Sequence, residues 1–137
     1  MKQITSLITI LFISLPSSPS LCETVSWEDL VERNELYYKK FTDVPFTGEV
    51  SGRYKGKFEN GKKDGLWVNY HENGQLRSKG NWKNGKKDSL WEWYFENGQL
   101  WEKANFKDGE LEGIWELFNR DGSLLIIHNW KDGELLE

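Results

Sequence analysis

Between Leu76 and Trp82 the chain alternates. Leu76, Ser78, Gly80 and Trp82 fall on one side of an extended backbone, and Arg77, Lys79 and Asn81 fall on the other. Further along, Leu100, Glu102, Ala104 and Phe106 stand against Trp101, Lys103 and Asn105 in the same way. A period of two with one polar side predicts a half-buried β-strand. A second aromatic-rich segment precedes each of these strands and carries Trp67 or Trp91, and a further such segment carries Trp115.

The alternation sits inside a longer period. Residues 60–83 read NGKKDGLWVNYHENGQLRSKGNWK, residues 84–107 read NGKKDSLWEWYFENGQLWEKANFK, and residues 108–131 read DGELEGIWELFNRDGSLLIIHNWK. A fourth copy opens at Asp132. A fixed, gapless period of this size predicts a stack of identical supersecondary units. Each unit has two turn signals. Gly61, Gly85 and Gly109 follow Asn or Asp at the start, and Gly74, Gly98 and Gly122 do so in the middle. Asn-Gly and Asp-Gly accept positive φ and are strong hairpin signals. The fold class predicted is all-β: an elongated single-layer antiparallel meander of hairpin repeats, with roughly seven or eight strands.

A two-residue turn in mid-unit sets the register. Trp67 then faces Gly80, Trp91 faces Ala104 and Trp115 faces His128. An indole beside a small residue has room to lie over it. On the other face the same turn sets Tyr70 against Arg77, Tyr94 against Trp101 and Glu92 against Lys103.

Phe58 occupies the place of Trp82, Phe106 and Trp130, so a degenerate copy precedes Asn60 and the repeat domain is taken as 46–137. Residues 23–45 read as an N-terminal cap. A short helix is expected over Ser26–Arg33, with Ser26 and Asp29 as a capping box and Trp27, Leu30 and Val31 on one face. A strand follows at Leu36–Lys40, and the cap would cover the first bare sheet edge. Residues 1–22 carry a positive Lys2, an apolar run over Ile4–Leu15 and a small-residue break, the pattern of a secretory signal peptide cleaved near Ser20 or Cys22. The run is too short for a stable membrane span. The localisation expected is exported, periplasmic or secreted. A lipid anchor at Cys22 is the minor alternative, with Leu21 in the position where such anchors want a small residue.

Composition narrows the function classes. The net charge of −4 disfavours nucleic acid as a partner. Cys22 is the single cysteine, which excludes an internal disulfide and a cysteine-based zinc site. No cofactor or metal is expected. His71 and His128 lie at different repeat positions, so the array does not join them, and they read as a solvated loop residue and a packing residue. Glu72, Glu96, Glu110, Glu112, Glu134 and Glu137 read as a solvated rim. The pairs Lys62-Lys63 and Lys86-Lys87 read as a charged edge that blocks sheet-to-sheet pairing. No catalytic constellation stands out, and the chain is expected not to be an enzyme. With eight Trp, the informative aromatics are those that break the repeat. Trp93 stands where Asn69 and Leu117 stand, and Trp101 where Arg77 and Leu125 stand; with Tyr94 they form a candidate binding platform.

The pattern Tyr54-x-Gly56-x-Phe58-x-Asn60-Gly61 resembles the MORN repeat. The longer unit, from Gly65-x-Trp67-x-x-Tyr70 through Asn73-Gly74 to Trp82-x-Asn84-Gly85-Lys86, resembles the bacterial MORN-variant repeat of YwqK-family antitoxins over residues about 46–137. That resemblance implies a β-meander scaffold for protein or lipid-headgroup contacts, and its antitoxin label implies a toxin as partner. Ser89 departs from it, standing where Gly65 and Gly113 stand, and so does the leader-like N-terminus. The leading expectation is an exported protein-binding scaffold, with a toxin-neutralising protein second and an envelope or glycan-binding role third.

Overall fold

The computed structural model describes residues 22–136; the predicted leader therefore lies outside the described residues except for Cys22, which is exposed. The strands are β1 (Thr24–Ser26), β2 (Leu30–Arg33), β3 (Leu36–Lys39), β4 (Gly48–Ser51), β5 (Tyr54–Glu59) and β6 (Lys62–Tyr70). They continue with β7 (Leu76–Lys83), β8 (Lys86–Tyr94), β9 (Leu100–Lys107), β10 (Glu110–Phe118), β11 (Leu124–Lys131) and β12 (Glu134–Leu136). Ten of them form one sheet in the order β1-β4-β5-β6-β7-β8-β9-β10-β11-β12, and β2 and β3 pair separately. From β4 onward every neighbour is the next strand in sequence, so the meander is as predicted, with a short strand added at each end.

The turns decide the register. Asn60 and Gly61 both have positive φ (49° and 77°), as do Asn84 and Gly85 (52° and 78°), which makes these tight two-residue hairpin turns. The mid-unit turn differs. Gly74 has φ 83° while Asn73 does not enter the positive region. Asn73 Oδ1 instead accepts from Gln75 N at 3.0 Å, and His71 N donates to Gln75 O at 2.8 Å. The loop is thus one residue longer than the two-residue turn expected, with a bulge after it. Trp67 still faces Gly80, Trp91 faces Ala104, Trp115 faces His128 and Glu92 faces Lys103. Beyond the bulge the expected pairs fail. Tyr70 faces Leu76 rather than Arg77, and Tyr94 faces Leu100 rather than Trp101.

The expected N-terminal helix is a single 3-10 turn at Trp27–Asp29. Asp29 Oδ2 does accept from Ser26 N at 3.2 Å, but Leu30 returns to an extended conformation. Asn34 and Glu35 both adopt positive φ and fold β2 back onto β3. Aromatic Tyr37 and Tyr38 supply a strand partner, and the chain takes the hairpin over a helix. The capping role survives in another form: β1 pairs in parallel with β4 and covers the first edge of the sheet. Trp27 packs over Tyr37, Tyr54, Phe58 and Trp67 at ring-centroid distances of 4.9–6.4 Å. This end holds most of the core, in Val25, Leu30, Phe46, Val50, Phe58 and Trp67. Trp91, buried in the middle copy, extends it along the sheet.

Candidate functional site

Each unit repeats one indole, Trp67, Trp91 or Trp115, at the same place on a common face of the sheet. An added Cβ at Gly56 would stand 2.3 Å from the Trp67 ring, and one at Gly80 would stand 2.2 Å from the Trp91 ring. Each ring therefore lies over the small residue of the strand before it, as well as facing one on the strand after it. Trp67 Nε1 donates to Lys57 O at 3.1 Å and Trp91 Nε1 donates to Asn81 O at 2.9 Å. In the third copy Ala104 replaces the glycine, and Trp115 Nε1 donates to Glu102 Oε1 at 2.7 Å instead. His128 stacks on Trp115 with ring centroids 5.4 Å apart, a packing role.

A kink in the first strand of each unit turns the position before it onto this face, and in the first two units that position is a lysine. Gly65, Ser89 and Gly113 all have positive φ (71°, 61° and 79°), and the ladder shifts beside each of them. Lys63 and Lys87, just before the kink, face Phe58 and Trp82 across the strand pair. The Lys63 ammonium lies 4.8–5.5 Å from the ring centres of Trp27, Tyr37, Trp67 and Trp82. The Lys87 ammonium lies 4.5 Å from Trp93 and 4.9 Å from both Trp91 and Phe106. Burial among the rings holds the pKa of both below the ordinary value of 10.5. The expected lysine edge is thus corrected: Lys62 and Lys86 are exposed, while Lys63 and Lys87 are half-buried on the aromatic face.

Over the middle copy the face opens into a hollow of about 970 Å³. Trp93, Trp101, Phe95, Phe106, Lys87 and Arg77 contribute to its walls. Trp93 is stacked on Trp91 at 5.6 Å, and Trp101, 42% exposed, lies 5.9 Å from Phe95. Arg120 covers Phe95 at 5.2 Å. The structure therefore brings Trp93 and Trp101 to one hollow. Tyr94 borders it as well, but its ring packs against Lys79 at 5.9 Å, whose ammonium is also 2.8 Å from Glu92. Burial and Glu92 raise the Tyr94 pKa, so the phenol stays neutral and committed to that side.

The mid-unit turns form a ladder along the sheet margin. Asn73 Nδ2 donates to Glu96 O at 2.9 Å, and Asn97 Nδ2 donates to Arg120 O at 3.4 Å. His71 Nε2 lies 2.8 Å from Tyr94 O, which makes it a bridge between copies rather than the solvated loop residue expected. Gly85, Gly109 and Gly133 N–H groups donate to Lys63, Lys87 and Leu111 carbonyls at the opposite margin. Glu72, Glu96, Glu110 and Glu134 are exposed as expected, whereas Glu112 Oε2 accepts from Asp132 N at 2.9 Å. Glu137 lies outside the described residues.

Sequence reasoning missed Lys87, Phe95, Arg77 and Arg120 as parts of the hollow. One signal was present: lysine at positions 63 and 87 gives way to Leu111 and Leu135, as an inward-facing position does.

Three consecutive stretches, residues 63–84, 87–108 and 111–132, match the family model of the MORN repeat variant. Residues 63–132 therefore carry three consecutive MORN-variant repeats, in step with the hairpins described above. Among curated proteins none matches the chain.

Proposed function

We propose that this MORN-variant array is a non-enzymatic scaffold that binds a protein partner in the hollow of its central copy. The observation that carries the reading is the pair Trp93 and Trp101, two departures from the repeat that line one open hollow. Rigid indoles ringed by cations are typical anchors at protein interfaces. The stacked turns and hairpins hold them in fixed positions, so little ordering is required on binding. The test compares capture of partners by the native protein and by a Trp93→Ala/Trp101→Ala variant with an unchanged circular dichroism spectrum. Equal capture by both refutes the hollow as the binding site.

The leader-like residues 1–22 support an exported scaffold. A reporter fused after Glu23 should appear outside the cytoplasm, and full retention refutes export. The antitoxin-type resemblance of the Gly65–Lys86 unit supports a toxin as the partner. Rescue of cells by co-expression with a toxin encoded beside this protein checks that narrower reading.

A further inference from the structure

We propose that the hollow takes an acidic peptide segment, with Lys87 receiving a side-chain carboxylate while Trp93 and Trp101 hold the apolar residue next to it. This rests on the scaffold reading and adds the chemistry of the partner. Lys87 is the central observation. Its ammonium is half-buried among Trp91, Trp93 and Phe106. Among the described residues no carboxylate lies within ion-pair distance of it. Glu102, the acid whose charge it feels, has Oε1 engaged by the Trp115 indole. Ring faces attract a cation less strongly than a charge-assisted hydrogen bond to a carboxylate does. A half-buried cation left unpaired costs stability, and bordering an open hollow it is an anion seat awaiting its occupant.

The other copies serve as internal controls. Lys63 has the same place in its unit but lies beneath Trp27 and Tyr37 of the N-terminal cap. The third unit has Leu111 there, with no charge. The middle copy alone sets a half-buried ammonium against Trp93 in a hollow that Trp101 also lines.

The surrounding charge favours the same ligand. Arg77 and Arg120 border the hollow with no carboxylate within ion-pair distance among the described residues, while Arg53 is held by Glu72 at 3.3 Å. The walls also hold Glu72, Glu96 and Glu102, so four cationic side chains against three acids leave a surplus of one positive charge in a chain of net charge −4. A broad anionic surface would meet the acidic body of the protein, whereas one short segment can set its carboxylate against Lys87 with Arg77 and Arg120 at the border. A hollow of about 970 Å³ has room for a few residues.

The probes are two peptides, acetyl-Ala-Phe-Glu-Leu-Ala-amide and its counterpart with Gln for Glu. The readout is the shift of the Trp93 and Trp101 indole N–H signals in NMR titrations of the purified protein. The Glu peptide should bind about fivefold or more tightly than the Gln peptide at low salt. In Lys87→Met, which keeps the stem and removes the charge, the two peptides should bind alike and still shift both indoles. That variant should be at least as stable as the native protein, because a desolvated charge has been removed, so its loss of preference cannot reflect unfolding. Equal affinity of the two peptides for the native protein overturns the carboxylate seat and leaves the scaffold reading to the Trp93/Trp101 comparison. No indole shift with either peptide overturns it too. Lys87-dependent binding of phosphatidylserine vesicles without a peptide preference overturns it in favour of a lipid surface.

Discussion

Gly80→Ala should unseat Trp91. The new Cβ would lie 2.2 Å from Cδ2 and 2.4 Å from Cε2 of an indole that is only 3% exposed. The ring cannot stay, and the contact is with its rigid bicycle rather than a flexible end. Full ejection would expose about 150–250 Å². At about 25 cal/mol per Å² that sets a ceiling of about 4–6 kcal/mol. Tilting is cheaper: an overpacked core costs about 1–3 kcal/mol. The tilt also breaks the 2.9 Å bond to Asn81 O, worth about 1 kcal/mol. The expected loss is therefore about 2–4 kcal/mol. The third copy displays the end point, since Trp115 above Ala104 is less buried and reaches for Glu102 instead of a backbone carbonyl. Urea unfolding followed by far-ultraviolet circular dichroism measures the loss, and the Trp91 indole N–H signal reports the changed partner. The control is the same substitution in a Trp91→Leu background, where it should cost under about 0.5 kcal/mol. A loss below about 0.5 kcal/mol in the native background, or the same loss in both backgrounds, refutes the stacking argument.

Three further outcomes follow from the turns and the cap. Asn73→Asp keeps the acceptor for Gln75 N but removes the donor to Glu96 O; it should cost about 0.5–1.5 kcal/mol and speed hydrogen exchange around Glu96. Ser89→Gly should stabilise by about 0.5–1 kcal/mol, because Ser89 holds a φ of 61° that a side chain disfavours; an unchanged or lower melting temperature contradicts this. Tyr37 has its pKa pushed up to about 12 by burial and by Glu32. Its neutral form is favoured on folding, so this stability is complete below pH 10 and is lost as pH rises towards 12. A Tyr37→Phe variant should show a shallower loss over that window, and identical pH profiles exclude the effect.

Much of the fold could be read directly from the repeat. The period fixed the strands, and Gly80, Ala104 and His128 fell opposite their indoles because the ladder between the bulges is regular. The misses lie where a local choice has two near-equal solutions. Asn-Gly pairs look alike at 60–61 and 73–74, yet one is a tight two-residue turn and the other a longer loop with a bulge. Ser26–Arg33 fits a helix pattern, but a hairpin with Leu36–Lys39 satisfies the same apolar residues. The candidate site was half legible. Trp93 and Trp101 stood out as departures from the unit, while Tyr94 is committed to Lys79 and Glu92.

Lys87 marks the boundary between the two kinds of information. The sequence alone determined a repeat of hairpins, its period and the identity of the odd aromatics, because alternation and turn chemistry act over a few residues. It could not say that a lysine beside a turn points inward. The kink at Ser89, the ring of Trp82 across the strand pair and Trp93 and Phe106 further along the face decide that together. Those groups meet only when three strands are side by side. The exposure and charge of a side chain depend on such neighbours, so the chemistry of the hollow belongs to the tertiary structure.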